Sequence, residues 1–151
     1  MLERQKVEND FAHLYREHGL GLAAFSLLRQ GILTGKYKDG IPPDSRFAQT
    51  KVEFVAGYWK RTRKEQWDEQ IKKVNRLEPI AQKLEIKQSV LALAWVLANP
   101  NVSSAITGAR SPQQVYENIE AVAAYKKLTP EILAEIEEVL NNKPPAIVQR
   151  F

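Results

Sequence analysis

The sequence predicts an α/β chain built on parallel strands. Two short runs carry that prediction. Residues 20–26, Leu-Gly-Leu-Ala-Ala-Phe-Ser, are apolar on both faces, as in a strand covered from both sides in a parallel sheet. Residues 102–107, Val-Ser-Ser-Ala-Ile-Thr, form a second strand of small residues that runs into Gly108. Each strand is followed by a loop and then by segments of helical period, which is the order of a βα array. Periodicity alone leaves a buried helix open for 20–26.

The elements follow in order. Leu2 to His18 has Val7, Phe11, Leu14 and Tyr15 at helical spacing, with Gly19 as the stop. After the first strand, Leu27 to Thr50 holds Gly31, Gly35, Gly40 and Pro42-Pro43, the composition of a long irregular loop. Such loops in compact domains are functional or disordered. A helix from about Lys64 to Leu84 places Trp67, Ile71, Val74, Leu77 and Ile80 on one side, with a break expected at Pro79. Gln88 to Leu97 is a strongly apolar helix stopped by Asn99-Pro100. After the second strand, Ser111-Pro112-Gln113-Gln114 opens another helix: Ser111 suits the N-cap, Pro112 the first turn and Gln114 the capping-box position. Thr129-Pro130-Glu131 repeats the signal for a last helix to about Leu140, and the tail from Asn141 has no pattern. Two strands would leave both outer edges of the sheet unpaired. The expectation is therefore a piece of a larger βα array, completed by further chain or by a partner.

Composition narrows the function. The 151 residues are 44% hydrophobic and 26% charged, enough to build a core. A net charge of +4 is mildly basic, well short of a dedicated nucleic-acid binder. With no cysteine, a disulfide framework, a thiolate zinc site and a cysteine nucleophile are excluded. No apolar run approaches the ~20 residues that span a bilayer, and Met1 to Lys6 is too charged for a signal peptide. A cytoplasmic protein without direct membrane insertion is expected.

The second strand-to-helix junction carries the best chemical signal. A strand ending in Gly108 and a capped helix starting at Pro112 leave backbone N–H groups pointing outward, and Arg110 adds a full charge. That is an anion site. Gln114, Glu117 and Asn118 share the adjoining face at i, i+3 and i+4. The arrangement suits a nucleotide, with phosphate at the turn and base or ribose along the first turns; a plain capped helix with a solvated face is the alternative. At the first junction, Gly31 and Gly35 allow close backbone approach, while Lys36 and Arg46 could meet phosphate. A structural loop with surface cations explains these residues equally well.

Other clusters carry less. Tyr58 to Lys64 interleaves aromatic and cationic residues but has no second patch, so a solvated loop outweighs nucleic-acid binding. His13 and His18 miss the i, i+4 spacing for shared metal ligation. Ser26 and Ser111 have no neighbouring histidine for a hydrolase triad. Glu131, Glu135, Glu137 and Glu138 read as an exposed helix face.

At the two junctions the sequence resembles the aldo-keto reductase family. Gly21 to Tyr37, containing Ser26-Leu27-Leu28-Arg29-Gln30 and Gly35-Lys36-Tyr37, is similar to the family's strand seven with its cofactor loop. Val102 to Asn118, containing Gly108-Ala109-Arg110 and Gln114-Val115-Tyr116-Glu117-Asn118, is similar to strand eight and the helix at the adenosine end of NADP. Asp39-Gly40-Ile41-Pro42-Pro43, Ser45-Arg46 and Asn142-Lys143-Pro144 resemble the branch of the voltage-gated potassium channel β subunits. The resemblance covers essentially the whole chain. It implies that residues 1–151 are a partial domain, the C-terminal half of a (β/α)8 TIM barrel. The first half, from which the family's catalytic Asp, Tyr, Lys and His come, is then absent, and no catalytic residue or metal site is assigned here.

The resemblance also implies an NADP site. Phe25 takes the place of the aromatic near the nicotinamide. Ser26, Leu27, Leu28, Arg29 and Gln30 line the pyrophosphate and ribose, with Lys36 among them. Arg46, Gly108, Arg110 and Gln114 surround the 2′-phosphate, and Glu117 with Asn118 meets the adenine. Phosphate at the loops after strands seven and eight is usual for this barrel. The chain departs from the family at Leu27, where a proline is usual, at Asp44, where channel β subunits carry an aromatic, and at Arg110, where a small polar residue is common. The implied activity is an oxidoreductase one, hydride transfer between NADPH and an aldehyde or ketone in the full barrel. The alternatives are a potassium-channel β-like regulatory subunit, for which a homo-oligomer would speak, and an inactive truncated product.

Overall fold

The computed structural model describes residues 1–49 and 64–145. The chain begins with a π-helical turn, Lys6–Asp10, followed by α1, Ala12–His18. The single helix expected over 2–18 is thus interrupted at Phe11, whose N–H donates to Lys6 O at 2.9 Å and closes the wider turn. Gly19 ends α1 with φ of 63°, a left-handed conformation that glycine adopts without steric cost.

Strand β1, Leu22–Ala24, pairs in parallel with β2, Val102–Ala105, placing Leu22 opposite Val102 and Ala24 opposite Ala105. An irregularity between Leu22 and Ala23 shifts the register. Gly21 lies where any Cβ would fall 2.2 Å from Ser103 Oγ, so a larger residue there would force the Ser103 side chain to turn away. The expectation of a strand covered on both faces fails. Leu22 and Ala24 are half-buried, whereas Ala23, Ser103 and Ser104 are exposed. Helices cover one face, and among the described residues no second layer covers the other.

Residues 27–49 also depart from the expected irregular loop. They form 3₁₀ turns over Arg29–Thr34 and a short helix α2, Arg46–Gln49. Ile32, Leu33 and Tyr37 are buried, because this segment contributes large apolar side chains to the core. The Tyr37 ring lies 5.2 Å from Phe47 and 5.5 Å from Trp67, centroid to centroid.

Trp67 belongs to α3, Lys64–Asn75, which is followed by α4, Glu78–Lys83. The break between them comes at Arg76-Leu77, before Pro79. Pro79 stands in the first turn of α4, where its missing N–H would have had no helical partner. Trp67, Ile71, Val74, Leu77 and Ile80 are all buried, as their spacing predicts.

Helix α5, Gln88–Leu97, runs through the core with Val90, Leu91, Ala92, Leu93 and Ala94 buried. Helix α6, Pro112–Ala124, and helix α7, Pro130–Leu140, begin at the predicted caps. Ser111 Oγ accepts from the Gln114 N–H at 3.4 Å, and Thr129 Oγ1 from the Ile132 N–H at 3.4 Å. One glutamate of α7 is not on a solvated face. Buried Arg4 donates to Glu137 at 2.6 Å and to Glu8 at 2.8 Å, with its guanidinium 5.1 Å from the Trp95 ring centroid. Asn142 Nδ2 donates to Met1 O at 2.8 Å, so residues 1–8 are tied to the end of α7.

Leu91 has no exposed surface. Leu91→Ala should lower stability by about 2–5 kcal/mol through lost burial and the remaining cavity. Glu138→Ala, at an exposed position, should change it by no more than about 0.5 kcal/mol. Urea midpoints of the two variants check the contrast.

Candidate functional site

The segments that follow β1 and β2 face each other across a groove of about 830 Å³. One wall is residues 26–36. Its backbone is held in an uncommon shape, with Ser26, Arg29 and Gln30 at φ of 56°, 45° and 57°, followed by Gly31 at 94°. Non-glycine residues in this region carry strain of order 1–3 kcal/mol each and persist only where the surroundings over-determine them. Here the Arg29 N–H donates to Ser26 O at 2.8 Å and the Gly31 N–H to Leu28 O at 2.9 Å. The buried Tyr37 donates its hydroxyl to Gln30 O at 3.2 Å. Gly31 is favoured by its φ of 94°, and a Cβ there would fall 2.6 Å from Lys36 Cε and displace the end of that side chain. Lys36 lies across the loop, its Nζ 5.1 Å from the Tyr37 ring centroid.

The other wall is the turn after β2 and the start of α6. Gln114 Oε1 accepts from the Arg110 N–H at 2.7 Å, one residue earlier than a standard capping box would reach. Asn118 Nδ2 donates to Gly108 O at 3.5 Å. Both side chains thus hold the Gly108–Arg110 turn. Glu117 is ion-paired with Lys87 from the start of α5 and accepts from Gln113 Nε2 at 3.3 Å. The Lys87 ammonium holds the Glu117 carboxyl below the usual carboxylate range.

The sequence-predicted residues divide between two places. Ser26, Leu27, Leu28, Gln30 and Lys36 line one wall of the groove, and Gly108, Arg110, Gln114, Glu117 and Asn118 line the other. Phe25 and Arg29 do not line it. Phe25 is 77% exposed at the end of β1, and Arg29 pairs with Glu3 at 2.6 Å. The two border a smaller recess of about 340 Å³ together with Arg4 and Trp95. Alternation along the chain accounts for Phe25, and the left-handed turn at Arg29 swings its side chain toward the N-terminal segment. Arg46 heads α2, but its side chain lies outside the described residues, as does the aromatic–cationic stretch 58–63.

Sequence reasoning missed Lys38, Lys87 and Gln88, which also line the groove. Lys38 pairs with Glu78 at 2.9 Å. Gln88 donates to Val74 O at 3.0 Å, and a Cβ on Gly35 would fall 2.9 Å from its Oε1. No spacing in the sequence marks these residues, because their partners lie far away along the chain.

The groove fits a phosphorylated ligand that also offers hydrogen-bond donors. Lys36 and Arg110 supply positive charge beside the Glu78-paired Lys38, and the positive end of the α6 dipole lies at the same wall. Gln30 Oε1 is buried and accepts no hydrogen bond among the described residues, which leaves an acceptor for an amide or hydroxyl donor. Among the described residues, no three His, Asp or Glu side chains gather to hold a metal ion. No described helix is long and apolar enough to cross a membrane.

The aldo/keto reductase family profile matches residues 1–141. The chain belongs to that family. It is 45% identical over 145 residues to an Arabidopsis thaliana protein named "Probable voltage-gated potassium channel subunit beta", covering 95% of this chain and 42% of that protein. A protein of the same name from Oryza sativa subsp. japonica is 44% identical over 145 residues, with coverage of 95% and 42%. The chain thus spans less than half the length of these curated relatives. Aldo/keto reductases are oxidoreductases that generally use a nicotinamide cofactor, and a mixed α/β chain with two parallel strands is consistent with part of their barrel.

The Lys87–Glu117 pair gives a direct test of the groove's electrostatics. A carboxyl with a lowered folded-state pKa contributes stability above its ordinary pKa and loses it as pH falls through the lowered one. Lys87→Met should move the Glu117 pKa up toward the ordinary value, followed by the carboxyl ¹³C shift against pH. An unchanged titration would assign the lowering to Gln113 instead.

Proposed function

We propose that this aldo/keto reductase chain is the cofactor-binding, C-terminal half of an NADP-dependent (β/α)8 barrel, carrying strands seven and eight. The observation that carries the reading is the convergence of both strand-to-helix junctions on one groove bearing Lys36, Lys38, Arg110 and the start of α6. Bound there, the nicotinamide cofactor would supply or accept the hydride exchanged with an aldehyde or ketone. The chain's own residues bind and orient. Arg110 and the positive end of the α6 dipole neutralise the 2′-phosphate, and the family resemblance adds Arg46 to them. Ser26, Leu27, Leu28 and Lys36 follow the pyrophosphate and ribose, and Gln30 Oε1 accepts from the ligand. Glu117 and Asn118 sit at the adenine, while Phe25 and Arg29 border the nicotinamide end from the adjoining recess. Acid catalysis and carbonyl binding belong to the completed barrel, in the cytoplasm.

A second reading rests on the names of the relatives. Both are described as potassium channel β subunits, so the same site could serve a regulatory subunit whose bound cofactor reports redox state. Assembly into a homo-oligomer, or association with a membrane protein, would favour it.

Titration of NADP and NAD against the 151-residue chain tests the site. A charge-assisted hydrogen bond contributes about 1.5–3 kcal/mol, so Arg110→Ala should weaken NADP by roughly 10- to 100-fold and leave NAD little changed. Asn118→Ala, on the adenine side, should weaken both about equally. Equal losses of NADP and NAD in Arg110→Ala would make Arg110 a surface charge only.

The isolated chain should also show no carbonyl-dependent NADPH oxidation above background. General acid catalysis is worth ~10²–10⁴-fold, and no residue here matches the family's acid. Robust turnover by homogeneous protein would overturn the assignment of catalysis to the other half.

A further inference from the structure

Lys87 stands where helix stability alone would not place it. It is the N-cap residue of α5, with φ of −70° and ψ of 150°, and its side chain caps no backbone N–H. Serine, threonine, aspartate or asparagine is favoured at such a position, and a cation there opposes the positive end of the helix dipole. Ser111 and Thr129 do cap α6 and α7, so the chain uses the ordinary solution elsewhere. Lys87 instead reaches to α6, where its ammonium donates to Glu117 Oε1. The Lys87 side chain is 59% exposed, and an exposed ion pair contributes little stability by itself. Residues that break a local rule without a gain in stability are expected at functional sites.

The geometry at Glu117 shows what the contact achieves. Gln113 Nε2 also donates to Oε1, at 3.3 Å. Both donors thus meet the same oxygen, and among the described residues Oε2 has no hydrogen-bond partner. The Glu117 side chain is 19% exposed and lines the groove, on the helix face it shares with Gln114 and Asn118. A free glutamate turns among several rotamers. Gripped at one oxygen from α5 and from its own helix, this one presents the other as a fixed acceptor. We propose that Lys87 is a positioning residue for base selectivity, fixing Glu117 so that Oε2 accepts from an exocyclic amino group on the ligand's base. The proposal rests on the reading of the groove as a dinucleotide site. A base with a carbonyl oxygen at that point would set an acceptor against the carboxylate and be rejected. The same ammonium offsets the carboxylate's charge, so the acceptor can lie in a groove that receives phosphates. Lys87 touches no ligand atom and acts through Glu117.

The test titrates the 151-residue chain with NADP and with its hypoxanthine analogue, in which oxygen replaces the 6-amino group. The unaltered chain should prefer NADP by about 10- to 100-fold, the contribution of one charge-assisted hydrogen bond. Lys87→Ser should lower that preference about 10-fold, the cost of ordering a glutamate side chain that is no longer held. Lys87→Arg should retain it. Because Lys87→Ser supplies a capping hydroxyl, its urea midpoint should equal or exceed that of the unaltered chain. In a Glu117→Ala background the preference should already be small, and Lys87→Ser should change it no further. A preference that Lys87→Ser leaves intact, or that falls as far again in the Glu117→Ala background, would overturn the proposal. So would a loss confined to the NADP-to-NAD ratio, which would make Lys87 a phosphate contact, or one that comes only with a lowered urea midpoint. If the unaltered chain binds neither NADP nor NAD, the cofactor reading falls and this proposal with it. If it binds both and its base preference ignores Lys87, this proposal alone falls.

Discussion

Burial of α5 is the interaction on which the described structure depends. Five consecutive residues, Val90 to Ala94, are buried, so this helix is covered all round, unlike a surface helix with one apolar stripe. Its flanks receive α4, α6, β2 and the 3₁₀ turns of residues 29–34. Each of these would have little core of its own without it. Burial of apolar area at about 25 cal/mol per Å² is the main favourable contribution in such an assembly, and here it is concentrated on one element.

That same helix sets the groove. Its first turn and the residue before it bring Gln88 and Lys87 to the site, where they anchor Val74 O and Glu117. Its body fixes the start of α6 relative to the loop after β1. The two junctions are about 80 residues apart in sequence, and neither reaches the other by local preference. A common support is what brings them together. The strained backbone of the first junction has the same origin. Tyr37, buried against Phe47 and Trp67, donates to Gln30 O, and the hydrogen bonds from Arg29 N–H to Ser26 O and from Gly31 N–H to Leu28 O hold the left-handed turns at Ser26, Arg29 and Gln30.

Charge is distributed in keeping with this division. The buried cation Arg4 is matched by Glu8 and Glu137 and stacked on Trp95, as a desolvated guanidinium requires. Around the groove, cations outnumber carboxylates, and the carboxylates present, Glu78 and Glu117, are already engaged by Lys38 and Lys87. Positive potential is therefore left facing the space between the junctions, where an anion gains most.

Features that depend on neighbours along the chain were legible without the fold. The caps at Ser111-Pro112 and Thr129-Pro130 were legible because an N-cap is settled within four residues. So were the buried side of 67–80 and the apolar helix 88–97, through period alone. Membership of the aldo/keto reductase family was legible in the motifs of the two junctions. Tertiary structure decided the rest. It broke the first helix at Phe11, moved the kink from Pro79 to Arg76-Leu77, and turned the supposed irregular loop into core through Ile32, Leu33 and Tyr37. Among the described residues it left one face of both strands bare, sent Arg29 to Glu3, and paired Lys87 with Glu117 across 30 positions. These outcomes share one physical reason: burial, backbone strain and ion pairing are set by which distant segments come to lie side by side, and no local pattern of residues encodes that.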